Sequence, residues 1–128
     1  YSIYFKFTKQ HQLDHKKYDH FHTYILAYKI YSTINEKCRN FVQNSDYLMC
    51  EAFCLYSQKD IFKPYEKFHS TALDAGKLAE SLFAKNLILY HTEDETLQTR
   101  KRTYTSEART VFNGNIFVPD DFEVIDLK

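Results

Sequence analysis

Residues 71–88 read TALDAGKLAESLFAKNLI. A hydroxyl from Ser70 or Thr71 can cap the free amides at the start of a helix. Small and apolar residues then recur at the three-four spacing of one helical face, at Ala72, Ala75, Ala79 and Leu82. Residues 87–90 follow as a continuous apolar run, which is typical of a buried strand. The sequence therefore predicts a helix to about Lys85 and a change to β structure after it.

Downstream of this stretch, two structures fit residues 93–112. Frequent Thr, Val and Ile favour strands, and Asn113-Gly114 between two apolar runs is typical of a β-hairpin. A competing interpretation takes Thr92 to Glu95 as a capping box that opens a fourth helix. Its inward residues would be Leu97, Tyr104, Ala108 and Val111. The composition favours strands, and the helix stays open as the alternative.

Upstream, residues 1–7 alternate apolar and polar side chains and predict a strand. Aromatic and apolar residues then keep a three-four spacing from Tyr24 to Phe41, which predicts a long helix over about Leu13 to Val42. Residues 48–56 are apolar on nearly all sides and predict a short buried helix. The predicted fold is a single α+β domain over residues 1–128, with an N-terminal strand, three to four helices and a small C-terminal antiparallel β region. An all-α four-helix bundle with terminal arms is the alternative.

Composition excludes several classes of protein. The chain has 128 residues with 11 Tyr, 11 Phe and two glycines, enough for one domain. Gly76 and Gly114 are too far apart for a glycine-rich phosphate loop or a nucleophile elbow. Because 17 basic residues balance 17 acidic ones, attraction to nucleic acid requires a local patch.

The cysteines and the hydropathy indicate the compartment. Cys38, Cys50 and Cys54 are an odd number in apolar segments, where a thiol usually packs as a small hydrophobe. No apolar run approaches the roughly 18 residues of a membrane span. These features predict a cytoplasmic protein without membrane contact.

Two groups of residues could bind a metal ion. On a helix, four residues would share one face with zinc-ligand chemistry: His11, His15, Asp19 and His22. Their polar neighbours favour a solvated helix face instead. Glu66 and His69 form a single Glu-x-x-His, of which a di-iron bundle needs two, so a polar pair is the better interpretation. We therefore predict neither a metal nor another cofactor.

The remaining feature is the basic run Arg100-Lys101-Arg102, which could form a local phosphate-binding edge. A helix that ends in a leucine-rich turn and passes into a basic strand resembles the winged helix-turn-helix transcription regulators of the MarR and PadR kind. The order of the elements over about residues 20–105 carries this resemblance. It implies a recognition helix near residues 70–85, a basic wing at residues 100–102 and a dimerisation helix upstream.

The resemblance predicts a non-enzymatic regulator that binds double-stranded DNA as a homodimer. The predicted DNA-binding residues are Thr71, Lys77, Lys85, Arg100, Lys101 and Arg102, with Thr71 as a base contact. The predicted dimer interface contains Tyr24, Tyr28 and Tyr31. A non-enzymatic interaction or structural protein that binds a protein partner through aromatic surfaces is the alternative, and a metal-binding helical protein is the third hypothesis.

Overall fold

The computed structural model describes residues 3–9, 22–29, 39–40 and 42–127. Its strands are β1 (Ile3–Lys9), β2 (His22–Lys29), β3 (Tyr47–Glu51), β4 (Asn86–Tyr90) and β5 (Asn115–Phe117). Its helices are α1 (Lys59–Phe62), α2 (Ala72–Ser81) and α3 (Arg100–Arg109), with 3₁₀ turns at Tyr56–Gln58 and Pro64–Lys67.

The five strands form one sheet in the order β1-β2-β3-β4-β5. β1 runs antiparallel to β2, and every other neighbouring pair is parallel. Parallel neighbours require crossover connections, which α2 makes between β3 and β4 and α3 makes between β4 and β5. The carboxyl ends of β3, β4 and β5 therefore meet at one edge of the sheet.

The core lies between the sheet and the two longer helices. Alternate residues of β3 and β4 face the helices and are fully buried, namely Leu48, Cys50, Leu87 and Leu89. They pack against small residues of α2 and against Tyr104 and Ala108 of α3. Small residues on the helices let them approach the sheet closely. The aromatic ring of Tyr104 packs in the same core, between α3 and the sheet.

The predicted helix in residues 71–88 is confirmed, with its predicted cap. The Thr71 hydroxyl accepts a hydrogen bond from the Asp74 amide at 3.2 Å, and the Asp74 carboxylate accepts one from the Thr71 amide at 3.1 Å. The helix ends at Ser81, earlier than predicted. Phe83 follows with a left-handed backbone, φ 54°, which stops the helix before the apolar run enters β4.

The two helices predicted upstream are wrong over residues 22–29 and 47–51, although residues 39, 40 and 42, at the end of the predicted long helix, are helical. Residues His22–Lys29 form β2, inside the predicted long helix, and residues Tyr47–Glu51 form β3. Aromatic and β-branched residues favour strands, and both segments gain hydrogen-bonded neighbours on two sides in the sheet. The predicted N-terminal strand is confirmed as β1.

The predicted C-terminal antiparallel region is also wrong. Arg100–Arg109 is a helix with Tyr104 and Ala108 buried, as the competing interpretation had it, although it begins later than Thr92. Asn113-Gly114 joins α3 to β5, which pairs in parallel with β4, so no hairpin forms there. A parallel sheet covered by helices replaces both the winged-helix fold and the all-α bundle.

Among the described residues, no helix is both long and apolar enough to cross a membrane. The single domain over residues 1–128 stays a prediction.

Candidate metal centre

The candidate site lies at the carboxyl edge of the parallel strands. Glu51 is the last residue of β3, and its partner in the sheet is Tyr90, the last residue of β4. His91 follows directly with a left-handed backbone, φ 54°. In open α/β sheets, ligands bind beyond the carboxyl ends of the strands. Glu51 and His91 therefore reach this position from neighbouring strands.

A third residue, His69, is brought in by the loop before α2. The Ser70 hydroxyl donates to the Glu51 carbonyl at 2.7 Å, and the Phe53 amide donates to the Ser70 carbonyl at 2.8 Å. Thr71 then forms an isolated parallel bridge with Cys54. The loop is thus held along the chain that continues β3, which fixes His69 opposite the Glu51 side chain.

The three side chains converge on one carboxylate oxygen. Glu51 Oε1 lies in direct contact with His69 Nδ1 and 3.3 Å from His91 Nδ1. All three ligand atoms lie within 4.8 Å of one another. Glu51 and His69 are largely enclosed, whereas the side chain of His91 is about half exposed (52%). The cluster is therefore closed at its base and open to solvent at His91.

Phe53 packs against both imidazoles. Its ring stacks on His69 with centroids 4.8 Å apart, and it meets the His91 ring edge-on at 5.9 Å. The two histidine rings are 5.0 Å apart and nearly perpendicular. Contacts of this kind restrict the rotation of both rings, so the site is already ordered in the chain alone.

The donor set fits a divalent metal ion. Glu51 Oε1 is buried and makes no hydrogen bond of ordinary geometry, so a cation held between it and the two neighbouring imidazoles would compensate its charge. Two imidazole nitrogens and one carboxylate form a ligand set that catalytic zinc sites use, leaving a position open for water or substrate. The half-exposed His91 places that open position toward solvent.

A second layer of polar residues lies beneath the site. The buried Glu93 accepts hydrogen bonds from the Glu95 amide at 2.5 Å and from the Thr96 hydroxyl. Its own amide donates to the Phe53 carbonyl at 2.8 Å, and the Tyr104 hydroxyl donates to the same carbonyl at 3.3 Å. Burial, reinforced by the nearby Glu93 carboxylate, raises the pKa of Tyr104 well above its usual range. Tyr104 therefore stays a neutral hydrogen-bond donor that supports the loop.

An open cleft of about 820 Å³ adjoins the cluster at His91. Its wall includes Leu97, Arg100 and the fully exposed Phe122. The Arg100 side chain is buried, with its guanidinium hydrogen-bonded to Thr92 Oγ1 at 3.0 Å and paired with Asp120 at 2.5 Å. Arg100 thus lines the cleft with a charge that Asp120 compensates.

The predicted DNA-binding residues do not form one surface for phosphate. Thr71 is buried as a helix cap, and Lys77 is exposed on α2. Lys85 pairs with Asp46 at 2.6 Å. Arg100, Lys101 and Arg102 form the first turn of α3, so the basic wing is absent, and Lys101 is paired with Asp120 and Glu123. The charge that suggested a phosphate-binding edge is mostly neutralised within the chain.

Other predicted sites are placed as follows. Tyr24 and Tyr28 lie in β2, and Tyr31 lies outside the described residues, so their interface role stays a prediction. The predicted dimerisation helix is wrong over residues 22–29. His11, His15 and Asp19 also lie outside the described residues, and His22 begins β2. The Glu66–His69 pair does not form, because Glu66 pairs with Lys63 and His69 with Glu51. Cys50 and Cys54 are buried in the core as predicted.

Sequence reasoning missed Glu51 and His91, and assigned His69 to the wrong partner. A usable signal was present: Glu51 and His91 each stand at the end of an apolar run of strand length. Residues 48–56 were interpreted as a helix, which hid the first of these ends. Two strands in parallel would have indicated a shared site at their carboxyl ends.

No known protein-family profile matches the chain. Ribonuclease Z of Prochlorococcus marinus (strain MIT 9515) is 31% identical over 100 residues, which are 76% of this chain and 31% of the relative. The chain thus spans about a third of the length of this curated relative.

Solved structures show the fold. The metallo-β-lactamase fold protein YhfI from Bacillus subtilis matches 91% of this chain and 46% of its own, with a TM-score of 0.60 and 20% identity. The short form of human tRNase Z matches 82% of this chain and 34% of its own, with a TM-score of 0.60 and 21% identity. The chain adopts part of the metallo-β-lactamase fold. This finding corrects the resemblance to winged helix-turn-helix regulators and the α+β fold class predicted with it.

The same comparisons correct the predicted function. A long-form RNase Z from yeast also matches, with 26% identity and a TM-score of 0.50, over 61% of this chain and 10% of its own. Three of these similar proteins are named as ribonucleases, which act on RNA, and none of the four as a transcription regulator. The expectations of a non-enzymatic protein, of double-stranded DNA as the partner and of a role in transcription are therefore wrong.

Proposed function

We propose that this chain supplies a divalent-metal site to a ribonuclease Z-like nuclease that acts on RNA, with transfer RNA as the substrate class. The observation that carries the proposal is the convergence of Glu51, His69 and His91 at the carboxyl edge of a metallo-β-lactamase fold. The 31% identity to a ribonuclease Z supports the substrate class. Because the chain spans about a third of that relative, the complete activity belongs to the proposal.

Each residue has a distinct role in this proposal. Glu51 and His69 form the enclosed side of the site, and His91 presents the third ligand atom toward the open cleft. Phe53 keeps both imidazoles oriented. A divalent ion bound there supplies Lewis-acid activation of a phosphodiester. The half-exposed side of the cluster leaves room for the RNA backbone to approach.

Metal binding by the 128-residue chain is the decisive measurement. We expect zinc titration by isothermal calorimetry to show one site, which Glu51→Gln and His91→Ala weaken by about tenfold or more. Glu51→Gln replaces an anionic oxygen by a neutral amide, and His91→Ala removes an imidazole nitrogen. Glu66→Gln is the matched control, since that exposed carboxylate pairs with Lys63 outside the cluster. Equal zinc affinity in Glu51→Gln and Glu66→Gln, or no zinc binding at all, would overturn the proposal. Cleavage of a precursor transfer RNA that depends on the same residues is the accompanying activity assay.

We also propose a cytoplasmic location. The buried thiol of Cys54, which forms no disulfide, supports it, because a reducing compartment keeps cysteines as thiols.

A further inference from the structure

Phe68 occupies an unusual position immediately before His69. The 3₁₀ turn Pro64–Lys67 ends in a Schellman motif, in which the His69 amide donates to the Pro64 carbonyl at 2.8 Å and the Phe68 amide to the Tyr65 carbonyl at 3.2 Å. Phe68 takes the left-handed position of the motif, φ 61°, where glycine is favoured. Its ring is 73% exposed. Phe68 therefore adopts an unfavourable backbone conformation, and burial of its side chain among the described residues offsets little of that cost.

A second phenylalanine, Phe83, has the same backbone conformation at a position away from the cluster. Phe83 holds the same position after α2, with φ 54°, and its ring is 63% exposed. The Ala84 amide donates to the Ala79 carbonyl and the Phe83 amide to the Glu80 carbonyl, both at 3.0 Å. The two rings differ in location, because α2 begins beside His69 and Phe83 follows its far end. Location beside the cluster thus distinguishes Phe68.

A cation stands next to Phe68. Lys67 Nζ lies over the Phe53 ring at 5.5 Å from its centroid, and that ring stacks on His69. Among the side chains that the structure describes, no carboxylate pairs with Lys67, whereas Lys63 pairs with Glu66 in the same segment. The cation–π contact keeps the ammonium of Lys67 beside the metal-binding cluster. An uncompensated cation beside the cluster is therefore followed in the chain by an exposed aromatic residue, immediately before His69.

We propose that Lys67 and Phe68 form a nucleotide-binding subsite for single-stranded RNA. The Phe68 ring stacks on an unpaired base, and the Lys67 ammonium binds a neighbouring phosphate. Aromatic rings beside cations are the common platform for single-stranded nucleic acid, since every base offers a stacking face. The inference rests on the proposed function, because it places RNA whose phosphodiester reaches Glu51 and His91 next to these two side chains.

Binding of a fluorescein-labelled, unstructured single-stranded RNA to the whole chain, measured by anisotropy at low salt with EDTA, tests the subsite. We expect Phe68→Gly to raise the Kd about tenfold through loss of base stacking. Lys67→Ala raises the Kd and reduces its salt dependence. Phe83→Gly, the matched control, leaves the Kd unchanged. Both glycine variants remain at least as thermally stable as the parent chain, since each relieves the same left-handed backbone.

Several outcomes would overturn the subsite. These are no RNA binding by the parent chain, equal affinity in Phe68→Gly and the parent, or an equal loss in Phe68→Gly and Phe83→Gly. An affinity that Phe68→Leu fully retains would mean an apolar contact of the kind a protein partner makes, and it also overturns base stacking. An equal loss of affinity for duplex DNA in Phe68→Gly would show that an unpaired base is not required. That result also overturns the subsite.

The zinc titration separates this inference from the proposed function. If the chain binds zinc and neither Phe68→Gly nor Lys67→Ala changes its RNA affinity, the subsite is overturned and the metal site is retained. Absence of zinc binding, with the Phe68→Gly effect intact in EDTA, overturns the proposed function and supports the subsite.

Discussion

Glu107 is a single side chain on α3 that joins three segments. Its carboxylate accepts hydrogen bonds from the Tyr56 amide, at 2.9 Å to each oxygen, and from the Leu73 amide at 3.0 Å. The Leu73 amide belongs to the first turn of α2, where backbone amides have no partner within the helix. Glu107 therefore fastens the start of α2, and with it the loop that carries His69, to α3.

Replacing Glu107 tests this connection. We expect Glu107→Ala to lower the free energy of unfolding by about 2 kcal/mol, because two backbone amides lose a charged acceptor. Glu107→Gln retains an oxygen acceptor and should cost about half as much. Urea unfolding followed by circular dichroism measures both, with Ser106→Ala at the neighbouring exposed position as the control. An unchanged urea midpoint for Glu107→Ala would contradict the structural role.

The candidate site shows at residue scale why sequence reasoning stopped short. His69 has a carboxylate three positions before it, Glu66, and the interpretation paired the two. In the structure its partner is Glu51, eighteen positions away (69 minus 51). Nothing local specifies that pair, because it depends on the loop before α2, which Ser70 holds along the chain that continues β3. The sequence showed which residues could bind a metal ion, but it did not show which of them lie close together in the fold.

At the scale of elements, Gly76 sets the distance between α2 and α3. A Cβ atom at this position would lie 2.8 Å from Val111 Cγ2, 3.0 Å from the Ala108 carbonyl oxygen and 3.2 Å from Ala108 Cα. Two of these contacts are with backbone, which moves only if α3 moves. In sequence terms Gly76 is a weak helix residue, and the structure shows that its missing side chain permits the close approach.

Gly76→Ala should therefore destabilise the protein. Alanine gains about 1 kcal/mol of helix propensity, but overpacking against a fixed backbone costs more, and we expect a net loss of about 1 kcal/mol. Urea unfolding is the measurement, and Lys77→Ala on the exposed face of α2 controls for propensity alone. Adding Val111→Ala to Gly76→Ala should change little, because the Ala108 backbone contacts remain. A Gly76→Ala variant more stable than the parent would refute close packing here.

The elements differ in how well their sequences predict them. The capped start of α2 and the apolar run of β4 are locally specified, and both predictions are confirmed. β2 carries aromatic residues at positions 24 and 28, a spacing that also fits a helix, so the neighbouring strands decide its structure. In residues 100–109, the burial of Tyr104 and Ala108 on one helical face prevails over β propensity. Tertiary contacts, not local preference, select the structure in both segments.

At the level of the whole molecule, the net charge is zero, and several of the opposite charges are paired with each other within the chain. The basic run that suggested a phosphate site is largely matched by Asp120 and Glu123, and the hydrogen bond from Lys101 lowers the pKa of Asp120. Charge in this region fastens the C-terminal segment to α3. The uncompensated Lys67 lies instead beside the metal-binding cluster.

The buried core predicts how global stability depends on pH. Burial raises the pKa of the Cys54 thiol from its ordinary value of 9.0 to about 11. Below pH 9 the thiol is protonated in both the folded and the unfolded state, and its contribution to the free energy of unfolding is fully present. Between pH 9 and 11 the unfolded chain ionises while the native thiol does not, so the free energy of unfolding falls, by about 1–2 kcal/mol from this group. Urea unfolding at pH 8, 9, 10 and 11 measures the fall. Cys54→Ala removes the group, and its stability should decline less steeply over this range while the contribution of Tyr104 persists; parallel profiles for the parent and Cys54→Ala would show that the Cys54 thiol is not the cause.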